Sequence, residues 1–272
     1  MVIEQLKGKN MKKTRKILAV PILLITVLAV FNFPINAEGS DSGNVIFFED
    51  FDDYPESLFI FNRFTAFYVH DGIGRFWVYD SYRFTYFNAN LGNVEQYKFN
   101  NMTVRARIVN YQDAAVKKLK GSIGWGLCTH DITSFDYEFV WFIYQQGGPF
   151  YPWNGFWVWS RNSSGDFSAK KIEGYNIWDW HVYGINWTES SYDFYIDGEF
   201  VAQLTKGLTQ NELGIEIWND NAVWYPKERD WGKIPLLKWC PIISRLTWGL
   251  SPVFYKVRAF KRLDIDYVKI TE

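Results

Sequence analysis

Asp136 and Glu138 stand two apart in the run FDYEFVWFIY, and Glu216, Trp218 and Asp220 alternate in the run LGIEIWND. Residues i and i+2 of an extended strand share one face. Each run therefore gathers its acids on one face, and in the second run Leu213, Ile215 and Ile217 mark the opposite face as a core side. Two carboxyls about 5–5.5 Å apart suit retaining cleavage of a glycosidic bond, and about 6.5–9.5 Å suits inverting cleavage. If the two runs are neighbouring strands, Glu138 would be nucleophile or base, Glu216 the acid, and Asp136 would lie on the same face as Glu138. Trp218, Asp220 and Trp141 would then contact substrate, with the Trp218 indole as a flat platform for a sugar ring. The same acids serve equally as acceptors for sugar hydroxyls without catalysis, or as ion-pair partners of Arg105 and Arg107.

Those residues need a sheet to hold them, and the chain reads as β throughout. Runs rich in Val, Ile, Phe, Tyr, Trp and Thr recur at 45–48, 64–69, 75–79, 102–109, 122–128, 137–144, 155–160, 181–187, 192–196, 213–218 and 266–270. Turn residues separate them at short, regular intervals, the pattern of a sandwich or barrel. Asp197-Gly198 between 192–196 and 199–204 is a strong hairpin signal. No amphipathic helical run of ten or more residues stands out. No linker divides 45–272, so it reads as one domain. Residues 221–250 hold four Trp and three Pro and read as a long loop or lid over one end of the cleft.

Residues 1–37 have a basic start (Lys12, Lys13, Arg15, Lys16), an apolar run at 17–31 and a small-residue end at Ala37. This reads as a removable export signal, with an uncleaved membrane anchor as the rival, because the run is short of the roughly 20 residues a spanning helix wants. Residues 38–44 are a polar linker. The expected location is secreted or at the cell surface, with a membrane involved if the N-terminal segment is retained. Residues 1–37 carry six of the 29 basic side chains and one of the 30 acidic ones, so the remainder has a net charge of −6. That balance argues against nucleic acid as a partner.

Aromatic residues make up 20% of the chain, with 14 Trp. They fit either a heavily packed core or a sheet face that receives glycans. Cys128 and Cys240 form one disulfide or stay as two buried thiols. No histidine or cysteine has a metal-spaced partner. Of three N-glycosylation sequons, Asn162 sits in the most turn-like context, and Asn186 falls inside a strand run.

Four stretches occur in the order found in one known family. WHVYGINWTESSYDFYIDGEFV (180–201) resembles the strand–hairpin–strand signature of glycoside hydrolase family 16. YKFNNMTVRARI (97–108) is similar to its edge strand before the catalytic strand, LGIEIWND (213–220) to its next concave-face strand, and DIDYVKI (264–270) to its closing strand. The resemblance implies an all-β, concanavalin A-like jelly-roll sandwich of two antiparallel sheets that takes a polysaccharide or glycan. The family's acids lie on one strand as E-x-D-x-E or E-x-D-x-x-E. Here Asp136 would stand at the nucleophile and Glu138 at the helper aspartate, while Val140 and Trp141 occupy the last position. DYEFVW is also similar to the nucleophile strand of glycoside hydrolase family 12, where a lone Glu pairs with a Glu of another strand. The resemblance allows both a β-glycan hydrolase and a lectin-like binding module. It implies no cofactor beyond a structural calcium, which would sit near Glu49, Asp50, Asp52, Asp53 and Asp266. A solvated acidic turn is the simpler reading of that cluster.

Overall fold

A computed structural model describes residues 43–55, 58–63, 65–78, 86–91, 96–110, 121–129, 137–146, 151–220, 223 and 261–272. Among them lie fifteen strands: β1 (Val45–Glu49), β2 (Leu58–Arg63), β3 (Thr65–Val69), β4 (Gly74–Val78), β5 (Tyr86–Leu91), β6 (Asn101–Asn110), β7 (Gly121–Cys128), β8 (Phe139–Gln146), β9 (Gly155–Arg161), β10 (Phe167–Ile172), β11 (His181–Trp187), β12 (Tyr192–Ile196), β13 (Glu199–Leu204), β14 (Gly214–Asp220) and β15 (Lys261–Thr271). The first sheet runs β13-β12-β11-β6-β15-β4-β3, with β1 also on β15, and the second runs β10-β9-β8-β7-β14-β5-β2. The strand pairings are antiparallel. This is the two-sheet concanavalin A-like sandwich that the sequence implies.

The alternation that made the strands legible also builds the core. Met102, Val104, Ala106 and Ile108 of β6 face Ile123, Trp125 and Leu127 of β7, Val140 and Phe142 of β8, and Ile215 and Ile217 of β14 in one buried cluster. Trp125 meets Tyr183 of β11 at 4.6 Å between ring centroids, and Phe142 meets Phe194 of β12 at 5.2 Å, so large rings bridge the sheets. Asp197 (φ 52°) and Gly198 (φ 82°) both take positive φ, the twist-matched turn that the Asp-Gly pair favours.

Three strands, β2, β5 and β10, escaped the sequence reading. The run 97–108 is not at an edge, because β6 lies between β11 and β15 in the middle of the first sheet. Nor are the two acid-bearing runs neighbours, since β7 intervenes between β8 and β14. Residues 1–42, Asp136, Cys240 and all of 221–250 except Val223 fall outside the described residues. The export-signal, linker, lid and disulfide readings therefore lie there too. No helix among the described residues is long and apolar enough to cross a membrane.

Candidate functional site

The second sheet buries aromatic side chains on both faces. Its inner face belongs to the core. Its outer face carries a second cluster of Cys128, Tyr137, Phe139, Trp141, Ile143, Trp159 and Trp218, with Trp153, Trp157, Phe167 and Ala169 partly buried against it. Glycines in the middle strand make this possible. A Cβ at Gly124 would lie 2.1 Å from the Trp218 ring, and one at Gly126 would lie 2.9 Å from Trp141. The two indoles thus lie down over the bare backbone of β7, with centroids 4.5 Å apart.

Glu216, Trp218 and Asp220 share this outer face, opposite Ile215 and Ile217. All three are buried, with Trp218 2% exposed and Glu216 1%. Trp218 is therefore not an open sugar platform. Its Nε1 donates to Ser122 Oγ (3.1 Å), and Ser122 Oγ donates to Asp220 Oδ1 (2.8 Å). Lys261 reaches across from the first sheet and donates through Nζ to the Ser122 carbonyl (3.0 Å) and to the Asp220 carbonyl. Burial pulls the Lys261 amine well below the usual lysine range, against an opposing pull from Asp220. Trp141 is also closed off, stacked 3.8 Å from Phe139 at 10°.

Glu138 is elsewhere. It sits just before β8, in step with the core-facing Val140 and Phe142 rather than with Phe139 and Trp141. Its Oε1 accepts the Ser163 N–H (2.7 Å), and its Oε2 accepts from Asn211 Nδ2 (2.9 Å) and Thr209 Oγ1. The carboxylate ties the β9–β10 turn to the 209–211 segment. Each acid also lies near a buried tyrosine. Burial raises the Tyr192 hydroxyl above its ordinary value, with Glu138 adding to the rise. Burial likewise raises Tyr137, where Arg161 opposes and Glu216 adds.

Register gives the distance. Glu216 pairs with Gly126, and Gly126 pairs with Trp141. Glu138 is thus two strand spacings and three residues away, about 14 Å between Cα atoms, on the opposite face. The structure does not bring Glu138 and Glu216 together. The reason is parity: Phe139 and Trp141, not Glu138, are in step with the outer face of β8. Where the family's single-strand motif would present carboxyls, this strand presents Tyr137, Phe139, Trp141 and Ile143. Among the described strand residues of this face the acids are Glu216 and Asp220. Four residues at about 3.3 Å each put their Cα atoms about 13 Å apart along the strand.

Rings on this face become accessible at the β9–β10 end. Trp153 lies 4.9 Å from Trp157, 5.5 Å from Trp159 and 5.9 Å from Phe167, edge to face in each case. Trp157 Nε1 donates to the Asn154 carbonyl (3.3 Å), and Lys171 is exposed in the same row as Trp157. Sequence reasoning missed this group. The signal was the spacing of Trp153, Trp157 and Trp159 in PWNGFWVWS, which places Trp157 and Trp159 on one strand face.

The other expected sites resolve differently. Arg105 and Arg107 pair with Asp266 and Asp264 on the first sheet, not with the acids of the second. Glu49 Oε1 accepts the Phe51 N–H (2.8 Å) and Asp50 Oδ1 that of Asp52 (3.3 Å), while Asp266 is held by Arg105. No cluster of three His, Cys, Asp or Glu that could hold a metal occurs among the described residues. Asn162 lies in the β9–β10 turn, its Oδ1 accepting the Asp166 N–H (2.9 Å), and Asn186 lies within β11.

A family model described as glycosyl hydrolases family 16 matches residues 154–223, which run from β9 through β14 and leave out β8. No curated protein sequence matches the chain. Solved structures similar to it include the laminarinase from Flavobacterium sp. UMI-01, at 12% identity and a TM-score of 0.52, covering 84% of this chain and 100% of that one. A putative β-glucanase from Mycobacterium abscessus aligns at 10% identity and 0.53, covering 84% and 100%. A β-1,3-1,4-glucanase (lichenase) from a mouse hindgut metagenome aligns at 13% and 0.51, covering 83% and 98%. The chain has the concanavalin A-like sandwich of the family 16 type.

Proposed function

We propose that the protein is an exported, carbohydrate-active sandwich that binds a β-glycan on the outer face of its second sheet without cleaving it. One observation carries the reading: the outer face of β8 offers Tyr137, Phe139, Trp141 and Ile143 where the family's strand carries acids. The accessible platform is Trp153, Trp157 and Phe167, whose rings can stack on the apolar faces of sugars while Lys171 and the Asn154 side chain meet hydroxyls. The similar solved structures include a laminarinase and a lichenase, so laminarin and lichenan are the first ligands to try. In a native-gel assay, a glycan cast into the gel should retard the wild type, and Trp157→Ala should weaken binding about tenfold or more, roughly 1.4 kcal/mol. Binding unchanged in Trp157→Ala would overturn the platform.

A second reading, hydrolysis, draws on the burial of Glu216 beside Tyr137, Trp141 and Trp218, a dry setting that suits a general acid. In that case Asp136 would have to supply the second carboxyl, and both Glu216→Gln and Asp136→Asn would abolish release of reducing ends.

A further inference from the structure

The outer face of the first sheet carries an array of arginines and aromatic rings that the glycan reading above does not use. Register lines up Tyr68 of β3, Arg75 of β4, Asp264 of β15 and Arg107 of β6 across four adjacent strands. Asp264 is completely buried and forms the anchor. It is gripped by Arg262, whose Nη2 donates at 2.8 Å, and by Arg107, whose Nε donates at 3.1 Å. Arg105 pairs with Asp266 where a bulge in β15 inserts that residue.

Each guanidinium also lies against a ring. Arg75 is 5.7 Å from the Tyr68 centroid, Arg262 is 5.0 Å from Trp77, and Arg107 and Arg105 are 4.7 and 5.2 Å from Trp180. Tyr68 and Trp77 are stacked, 6.2 Å apart at 21°. Among the described residues of this row, four arginines face the carboxylates of Asp264 and Asp266, a local positive excess within a chain whose net charge beyond residue 37 is −6. Arg75 makes no ion pair among the described residues, and Arg105 and Arg107 keep 43% and 33% of their side chains exposed. Asp264 holds Arg107 and Asp266 holds Arg105, so these two guanidiniums need little further ordering when an anion arrives.

From this geometry we propose a second binding site, for an acidic polysaccharide that carries carboxylate or sulfate groups. Arg75 and Arg107 stand two strand spacings apart, about 9.6 Å, on either side of Asp264. Arg107 gives Nε and Nη2 to Asp264 and, like Arg105, stays partly exposed, so the guanidinium edge turned away from its aspartate can meet an oxyanion. Trp180, partly exposed beside Arg105 and Arg107, gives a neighbouring sugar ring an apolar seat. A nucleic acid fits less well. Its phosphates recur about every 1.7 Å of duplex axis and call for a more extended basic face than this row of arginines.

The test titrates the purified protein with polygalacturonate, with a sulfated carrageenan, with neutral laminarin and with duplex DNA, each at low and high salt. At least one acidic polysaccharide should bind at low salt and be weakened by high salt. Which of the two binds tells carboxylate from sulfate. Arg75→Gln and Arg105→Gln should each weaken that binding roughly tenfold and leave laminarin binding unchanged. Arg105 belongs to a surface pair, so its variant serves even if the Arg75 variant folds poorly. The proposal is overturned if neither acidic polysaccharide binds at low salt, if both variants bind like wild type, or if DNA binds as tightly as the polysaccharides.

Discussion

Replacing Glu138 separates a catalytic role from a structural one. Its buried carboxylate takes three hydrogen bonds, from Ser163 N, Asn211 Nδ2 and Thr209 Oγ1, and those donors belong to two separate chain segments. A hydrogen bond to a charged group contributes about 1.5–3 kcal/mol net. Ser163 and Asn211 lie near the surface and regain water when the carboxylate is removed, whereas Thr209 is buried and does not. The expected loss for Glu138→Ala is therefore roughly 3–5 kcal/mol, or about 10 °C in Tm for a domain of this size. Glu138→Gln keeps one acceptor oxygen but turns an amide toward a donor, and should lose about half as much. Urea unfolding followed by tryptophan fluorescence reads this directly, as a lower midpoint at unchanged m. If Glu138→Ala unfolds at the wild-type midpoint yet loses a glycan-cleaving activity, the structural assignment is wrong and Glu138 belongs to the chemistry.

Two further outcomes follow from the packing. Gly124→Ala puts a methyl group 2.1 Å from the Trp218 ring and 2.6 Å from the Phe142 carbonyl, so it should lower stability by roughly 2–3 kcal/mol; a wild-type urea midpoint would contradict the seating of Trp218. Lys261 has a folded-state pKa below its ordinary 10.5 because burial disfavours its charge. Between the two values the unfolded chain binds more protons, so the penalty is full at low pH and is relieved as pH rises from neutral toward 10.5. Wild type should gain stability relative to Lys261→Met across that range, and parallel stability curves for the two would refute the buried, desolvated amine.

Strand existence and parity were legible because hydrophobic alternation is a local signal. Ile215 and Ile217 fixed the face of Glu216, Trp218 and Asp220, and the Asp197-Gly198 hairpin was readable from two residues. The face of β8 was not, because Phe139, Val140, Trp141, Phe142 and Ile143 are apolar on both sides. With no polar face to break the tie, the acids drew attention to Glu138, while both sides of this strand are in fact buried. Strand order was hidden for a different reason. It depends on pairings between residues far apart in sequence, and in β7 the role of two glycines, Gly124 and Gly126, appears only when Trp218 and Trp141 are seen lying over them. The Arg75–Asp264–Arg107 row has the same origin, since its three members come from three strands distant along the chain.

The measurement closest to the central claim is made on one sample: wild-type protein incubated with laminarin and lichenan, with bound glycan and newly formed reducing ends followed together. The account predicts retention of at least one of these glucans with no reducing ends above the protein-free control, in wild type and in Glu216→Gln alike. Sustained release of reducing ends by wild type that disappears in Glu216→Gln would contradict it, and would mean that the outer face of the second sheet is a catalytic cleft.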